Sequence, residues 1–417
     1  MADAGPMHTT PAGARVRFGG RGILTGFVER LLQRIETGSL TVALPNGQRI
    51  IRRGTTPGPH ARVVIRRWRA IWRLVAGGDL GLAEAYIDGD WWTPDLFAFL
   101  SFGALNEKSL QGSISGLALM RVLNRVKHWR RRNTRRGSRH NIAVHYDIGN
   151  SFYTHWLDSG MSYSSALFPK PDMTLEEAQN AKLNRAVDLL DVAGGGNVLE
   201  IGCGWGALAE CLVEKCHVTG ITLSNEQLDF ARDRLNKKNL AARASLRLQD
   251  YRDVGGQFDR IVSIEMLEAV GEAYWPAFFE TLHDRLRPGG IAVLQAITID
   301  ERRFDSYRKT PDFIQKYIFP GGMLPTIRIM ESDIARAGLK LVKTEFFGDS
   351  YVRTLAEWQR RFRSAWPSIQ KLGFDERFKR MWDYYLSYCQ AGFATGALNV
   401  GFYKVTPSAQ LRGAAEV

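Results

Sequence analysis

The sequence is long and basic, and these two properties limit what the protein can be. It has 417 residues, of which 45% are hydrophobic and 24% charged, as in a globular chain with room for more than one folded unit. The formal net charge is +13, which favours an anionic partner such as nucleic acid or an acidic membrane surface, with solvated surface charge as the alternative. No apolar run approaches the ~18 residues that cross a bilayer, and no secretory leader is recognisable, so a cytoplasmic protein is expected.

The cysteines indicate neither a disulfide framework nor a zinc site. There are four of them, Cys203, Cys211, Cys216 and Cys389, and no two form a C-x-x-C pair. We therefore expect reduced thiols and predict no metal site.

The chain up to about residue 120 predicts a small α+β unit. Residues 23–35 have the spacing of an amphipathic helix, whose apolar face is covered either by a core or by lipid. Asn46-Gly47 is a strong turn signal and predicts a hairpin. A further strand is predicted over 61–65, followed by helical segments between 68 and 92.

Residues 121–139 concentrate the positive charge. They contain nine arginines and lysines, interleaved with Leu123, Val126 and Trp129. We interpret them as a basic linker that leads into a domain over 140–417 and lies on anionic headgroups, at ~1 kcal/mol per charge near the surface. Nucleic acid would use the same charges, but no recognition-helix, zinc or RNP pattern accompanies them, so no nucleic-acid partner is expected.

From residue 197 onward, strands and helices alternate. An apolar strand over 197–201 is followed by further strands up to 297, each separated by a helical segment. This order predicts a parallel, doubly wound sheet with its ligands at the carboxyl ends of the strands. Residues 399–405 alternate like a closing edge strand.

The turn after the first of these strands is rich in glycine. Glu200 precedes Gly202, Gly204 and Gly206, whose G-x-G-x-G spacing resembles the S-adenosylmethionine loop of class I methyltransferases. Glycines at these positions let the backbone approach a ligand beside a helix N-terminus. A tight turn without a ligand is the alternative.

Several motifs together resemble the cyclopropane fatty acid synthase family, from about Gly81 to Val405. They are His145–Asn150, Met161–Ser164, Glu200–Gly206, Ile221–Ser224, Gln249–Asp253, Tyr317–Gly322 and Glu376–Met381. The resemblance implies an α/β fold: a doubly wound, Rossmann-like class I methyltransferase sheet behind a small N-terminal α+β lipid-engaging domain. It also implies a homodimer on the inner face of the membrane that uses S-adenosylmethionine to add a methylene across the double bond of unsaturated acyl chains in phospholipid.

The resemblance assigns cofactor contacts position by position. The matching residues are Tyr163 and Ser164 at the methionine moiety, Gly202 and Gly204 at the backbone contacts, Leu223 and Gln227 at the ribose, and Asp250 and Tyr251 at the adenine. Tyr251 is equally interpretable as an ordinary core aromatic.

Methyl transfer to an alkene builds positive charge on the acyl chain, which calls for a dry slot with anionic or aromatic walls. The aromatic candidates for this slot are Phe152, Tyr153, Phe313, Tyr317 and Phe319. Each of them is also interpretable as plain core.

A base must then remove a proton, and in the family that base is a bound bicarbonate. Glu268 and Tyr351 match two of its ligands, and Ile297 matches a backbone contact. Ser165 stands where the family has cysteine and Gln295 where it has histidine. Both can still hydrogen-bond a planar anion. Bicarbonate is therefore a second expected cofactor, with its affinity altered.

Three alternatives stay open at this stage. The product is a cyclopropane ring or, after a hydride shift, a methylene- or methyl-branched chain. Glu268 is a site residue or a simple helix cap. The protein as a whole is an enzyme, a non-catalytic lipid-binding protein with a decayed site, or a nucleic-acid methyltransferase that lacks the usual catalytic motifs.

Overall fold

The computed structural model describes residues 22–110, 148–192 and 194–408. The basic segment 121–139 and the domain boundaries predicted beside it lie outside the described residues. Within the described ranges, no helix has both the length and the apolar character that crossing a bilayer requires.

The N-terminal unit is a four-stranded sheet covered by helices. Its elements are α1 (Ile23–Leu32), β1 (Thr37–Ala43), β2 (Arg49–Arg53), β3 (Thr56–Ile65), α2 (Arg69–Ile87), β4 (Trp91–Trp92), α3 (Leu96–Leu105) and α4 (Glu107–Leu110), with the strand order β2-β1-β3-β4. β1 and β2 pair antiparallel across Asn46-Gly47, which confirms the predicted hairpin.

Protein covers the apolar face of α1. Val28, Leu32 and Ile35 are buried in one cluster with Leu40 and Val42 of β1. The face therefore contacts the protein core, and Val28 and Leu32 also line a cavity.

Helix α2 is kinked in its middle. Gly78 has φ +59, a left-handed conformation that interrupts the helical path. The two halves of α2 then fold closely together, since a Cβ on Gly81 would lie 2.0 Å from the carbonyl oxygen of Arg73. Asp79 directly follows the kink and lines a cavity of the protein.

The second sheet has seven strands. The elements of this part are α5 (Asn150–Tyr153), α6 (Leu175–Leu190), β5 (Asn197–Ile201), α7 (Ala207–Val213), β6 (His217–Thr222), α8 (Asn225–Lys237), β7 (Ala244–Leu248), β8 (Phe258–Ile264), α9 (Trp275–Arg285), β9 (Leu286–Ile299), α10 (Glu301–Lys309), α11 (Ile327–Arg336), β10 (Leu339–Phe346), α12 (Gly348–Gln370), α13 (Glu376–Ala394) and β11 (Leu398–Pro407). The strand order is β10-β11-β9-β8-β5-β6-β7. The five strands from β9 to β7 are parallel, which confirms the predicted doubly wound fold.

One strand lies in a different place from the prediction. Residues 399–405 belong to β11, which is not an edge strand: it pairs antiparallel with β9 on one side and with β10 on the other. Its central residues Val400, Phe402 and Tyr403 are fully buried, because apolar clusters cover both faces of the sheet at this strand. The edge is β10, a half-exposed strand whose mixed Leu, Lys and Thr sequence carries little strand signal.

Candidate active site

The glycine loop turns directly from β5 into α7. The backbone N–H groups of Gly202 and Cys203 both donate to the carbonyl of Ile221 on the neighbouring strand, at 2.9 Å. Gly202 and Gly204 have φ of +83 and +51. A Cβ on Gly204 would meet no protein atom within 4 Å. Its α-carbon therefore faces open space, in which a ligand can contact the loop backbone.

Gly206 has a different role from the other two glycines. A Cβ there would lie 2.9 Å from Cβ of Ala231, so the glycine allows α7 and α8 to pack closely. It does not line the cavity that begins at Gly204. Gly206 was predicted as a cofactor contact, and the structure places it in helix packing instead.

The loop opens into a cavity of about 910 Å³, near the upper end of the ~300–1,000 Å³ typical of ligand pockets. Predicted cofactor residues come together at this end: the walls include Tyr163, Ser164, Glu200, Gly202, Gly204, Leu223, Gln227 and Tyr251. Asp250 is the exception among the adenine positions, since its carboxylate is held by Arg252 at 2.8 and 2.6 Å and does not line the cavity.

Glu200 offers an unsatisfied acceptor to this cavity. Its side chain is buried, and Oε2 has no partner among the described residues. Burial raises the pKa of Glu200 to about 8, and Lys182 opposes this. An orphaned carboxylate oxygen beside an open glycine cradle fits S-adenosylmethionine, which carries both an ammonium group and a sulfonium.

Lys182 on α6 was missed by the sequence analysis. Its side chain is 2% exposed and donates to Oγ of Ser164 at 2.9 Å. Desolvation lowers its pKa, whereas the nearby carboxylates of Glu265, Asp158 and Glu200 raise it. The available signal was a lysine at the spacing of the buried face of α6, between Gln179 and Leu183.

The centre of the site is a residue that the sequence analysis did not select. Glu265 follows β8 directly, and its Oε1 accepts hydrogen bonds from the backbone N–H of Ser165 at 2.8 Å and the Gln295 amide at 2.7 Å. Tyr351 donates to Oε2 at 2.7 Å. Three of the predicted catalytic residues therefore converge on one carboxylate. Glu265 and Tyr351 line the cavity, while Ser165 and Gln295 lie behind them.

The backbone of Glu265 is strained. Its φ is +47, in the left-handed region that glycine favours. A conformation of this kind costs ~1–3 kcal/mol and persists where surrounding contacts impose it, most often at functional sites. Here the N–H of Glu265 donates to the carbonyl of Gln295 at 2.7 Å and fixes the residue at the sheet edge.

Glu268 lies beside Glu265 and is less well satisfied. Its Oε1 accepts the backbone N–H of Ile297 at 2.5 Å, the group that the resemblance assigns to the bicarbonate, and its Oε2 has no partner among the described residues. Burial, followed by the charge of Glu265, raises the pKa of Glu268 to about 8. Burial also raises the pKa of Glu265, but its three donors oppose this. A proton held by the pair therefore resides on Glu268.

The predicted bicarbonate does not fit this arrangement. Two of its expected ligands, Ser165 and Gln295, together with Tyr351, already bind the carboxylate of Glu265. The oxygens of Glu265 occupy the hydrogen-bonding positions that a bound planar anion would need. We therefore derive no step through bicarbonate.

The aromatic slot is only partly as predicted. Phe313 and Phe319 line the cavity, with Tyr385 and Phe393 of α13. Phe152 and Tyr153 are fully buried and pack edge to face within the core. Tyr317 points its hydroxyl to Glu84 at 2.9 Å.

Comparison with known proteins decides the family. The profile of the family described as "Mycolic acid cyclopropane synthetase" matches residues 133–402. The chain belongs to the mycolic acid cyclopropane synthetase family. Its cofactor is accordingly S-adenosylmethionine, and its activity is methylation or cyclopropanation of fatty acyl chains.

Relatives of this synthetase-family chain cover most of its length. It is 39% identical to tuberculostearic acid methyltransferase UfaA1 of Mycobacterium tuberculosis, over 79% of both chains. It is 35% identical to cyclopropane-fatty-acyl-phospholipid synthase of Escherichia coli K12, over 77% of this chain and 81% of that one. Among solved structures, mycolic acid cyclopropane synthase CmaA1, complexed with SAH and CTAB, superposes with a TM-score of 0.61 at 29% identity. It covers 64% of this chain, and 97% of CmaA1 is matched.

Proposed function

We propose that this enzyme methylates the double bond of an unsaturated acyl chain in a membrane phospholipid, and that Glu265 accepts the proton lost in the reaction. The observation that carries the proposal is the Glu265 carboxylate, fixed by three donors and facing the same cavity as the glycine loop.

S-adenosylmethionine supplies an electrophilic methyl group when it is bound. The π electrons of the alkene form the new carbon–carbon bond as the bond between the methyl carbon and sulfur breaks with its electron pair remaining on sulfur, and a positive charge is left on the acyl chain. Glu265 stabilises that charge as an anion, and the aromatic faces of Phe319 and Tyr385 exclude the water that would quench it. Glu265 then takes a proton from the chain, so that one CH₂ group is gained overall.

We propose a methylene branch as the product. If the proton leaves the new methyl at once, a ring closes. If a hydride shifts first, the charge moves to the carbon that carries the methyl, and the same proton loss gives a methylene branch. Three hydrogen bonds fix the position of the Glu265 carboxylate, so that it does not follow the new methyl group, which delays proton removal and favours the shift. The 39% identity with a methyltransferase supports this choice.

A cyclopropane ring is the second candidate. It is supported by the 35% identity with the phospholipid cyclopropane synthase and by the family profile. The base and the first bond-forming step are the same in both cases.

Lipids extracted from cells that express the protein decide between the products. Mass spectrometry should show a gain of one CH₂ per acyl chain, with vinylidene protons in the proton NMR spectrum. High-field cyclopropane protons would establish the ring instead. No mass gain would support a non-catalytic lipid-binding protein.

Peripheral binding to anionic membrane is part of the proposal. It is supported by the net charge of +13 and by the nine basic residues of 121–139. Vesicle binding should weaken as salt rises, and equal binding to neutral and anionic vesicles at low salt would contradict it. The homodimer stays a prediction, which light scattering can check.

A further inference from the structure

The cavity does not end at the catalytic glutamates. It continues into the N-terminal unit, where Val28 and Leu32 of α1 and Leu40, Val42 and Val63 of the sheet line it. This lobe is apolar and belongs to a different sheet from the one that carries the glycine loop. One continuous cavity therefore has an apolar lobe in each half of the described chain.

Charged side chains line the cavity where the two halves meet. They are Asp79 of α2, Glu107 of α4, Arg303 of α10, and Asp312, which follows α10. Arg303 forms an ion pair with Glu107 and donates to the carbonyl of Ala104 at 3.1 Å, which joins the two halves at this point. Three carboxylates and one guanidinium thus line this part of the cavity.

Asp79 is the group that lacks a partner. It follows the kink at Gly78 and makes no hydrogen bond or ion pair with any residue the structure describes. Its side chain is exposed, and it forms part of the wall of the cavity. Desolvation and the neighbouring Glu107 raise the pKa of Asp79 to about 6, against the effect of Arg303.

Aromatic rings lie beside these carboxylates. Tyr384 and Tyr388 of α13 stack with ring centroids 6.1 Å apart, and Phe313 lies 4.8 Å from Tyr384. The charges of Asp79 and Asp312 both act on these two tyrosines. Tyr388 donates to Oδ2 of Asp312 at 3.3 Å. Carboxylates combined with aromatic faces are the environment that binds an organic ammonium.

We propose that this junction, formed by Asp79, Asp312 and the rings of Tyr384 and Tyr388, binds the cationic amine of a zwitterionic phospholipid headgroup. The inference rests on the proposed function, since it concerns which lipid presents the acyl chain. A hydrocarbon tail gains nothing beside three carboxylates, whereas an ammonium neutralises their excess charge. One acyl chain of the lipid then extends towards Glu265, and the other occupies the apolar lobe of the N-terminal unit.

The test compares headgroups that carry identical unsaturated acyl chains. Methyl incorporation is measured for phosphatidylethanolamine and for phosphatidylglycerol, each in vesicles brought to the same surface charge with a saturated anionic lipid. We expect the enzyme to prefer the ethanolamine lipid. Asp79→Asn should reduce kcat/KM for that lipid about tenfold, the lower range for a lost charge-assisted contact, and leave phosphatidylglycerol unchanged. Asp79→Lys should reverse the preference.

Controls separate this proposal from the function on which it rests. Asp305→Asn removes an exposed carboxylate from α10 and should change neither substrate. Calorimetric titration with S-adenosylmethionine shows whether each variant is folded. If the wild type methylates the two lipids equally, or if Asp79→Asn changes the methylation of both lipids equally, the headgroup site is overturned. The proposed function is not affected by either result. No methylation of any phospholipid, with cofactor binding intact, overturns the proposed function.

Discussion

The hydroxyl of Tyr351 donates a 2.7 Å hydrogen bond to Oε2 of Glu265, and not to Glu268, which the family resemblance names as its neighbour in the site. This bond joins α12 to the end of β8. It makes Glu265 the residue around which the other site residues are arranged, and the predictions below follow from that arrangement.

Glu265→Gln should reduce methyl transfer by about 10²- to 10⁴-fold, the usual contribution of a general base. The amide keeps the size of the side chain and removes the negative charge. Methyl incorporation from labelled S-adenosylmethionine measures the effect. Glu268→Gln is the matched control. Because Glu268 already holds a proton near neutral pH, this variant should lose much less methyl-transfer activity. Equal losses in the two variants would mean that both carboxylates act as charged groups.

Activity should not depend on bicarbonate. The donors that would hold this anion bind Glu265 instead. Rates in buffer freed of carbon dioxide should match those with added bicarbonate. A rate that falls on its removal and recovers on its return would show that Glu265 moves aside for the anion.

Gly204→Ala should weaken S-adenosylmethionine binding by about tenfold or more, a difference that calorimetric titration resolves. The new methyl enters the open space of the cavity, and φ +51 disfavours any side chain. Gly206→Ala should instead lower the free energy of unfolding by about 1–3 kcal/mol, because its methyl collides with Ala231. Gly255→Ala, with no atom within 4 Å, should change neither property. If Gly204→Ala binds S-adenosylmethionine with unchanged affinity, the loop does not belong to the cofactor site.

Glu268 should make the protein less stable as the pH rises. Its pKa is about 8 in the folded protein against an ordinary 4.5. Below the lower value both states hold the proton, and between the two values only the folded state does. Stability is therefore lost progressively across this window and stays low above it. Chemical denaturation at several pH values should show a shallower decline for Glu268→Gln than for the wild type. Parallel curves would mean that the pKa of Glu268 is not raised.

The sequence predicted the parts of the fold that have strong local signals. The hairpin at Asn46-Gly47 and the strand that leads to Gly202 both form as expected. Strand β10 was missed because its pairing partner, β11, lies more than fifty residues away, and local composition does not reveal such pairing.

Several residues of the site were selected correctly from the sequence, but the group that they bind was not predicted. Ser165, Gln295 and Tyr351 were selected because they match ligands of a bicarbonate, and they do come together. Glu265 was overlooked because a single acid after a strand has no periodic signature. The signal that identifies it, a left-handed φ on a residue other than glycine, exists only in three dimensions.

Because Glu265 is a side chain of the protein and not a diffusing anion, its use as the base has a kinetic consequence. A diffusible base has a dissociation constant and must enter an apolar cavity from water in every cycle, with loss of its hydration. A base on the chain has no binding equilibrium, and its effective concentration is set by geometry alone. In the proposed mechanism, turnover is governed by two ligands, the methyl donor and the lipid. The left-handed turn at Glu265 is then the conformational cost of holding the base permanently in place.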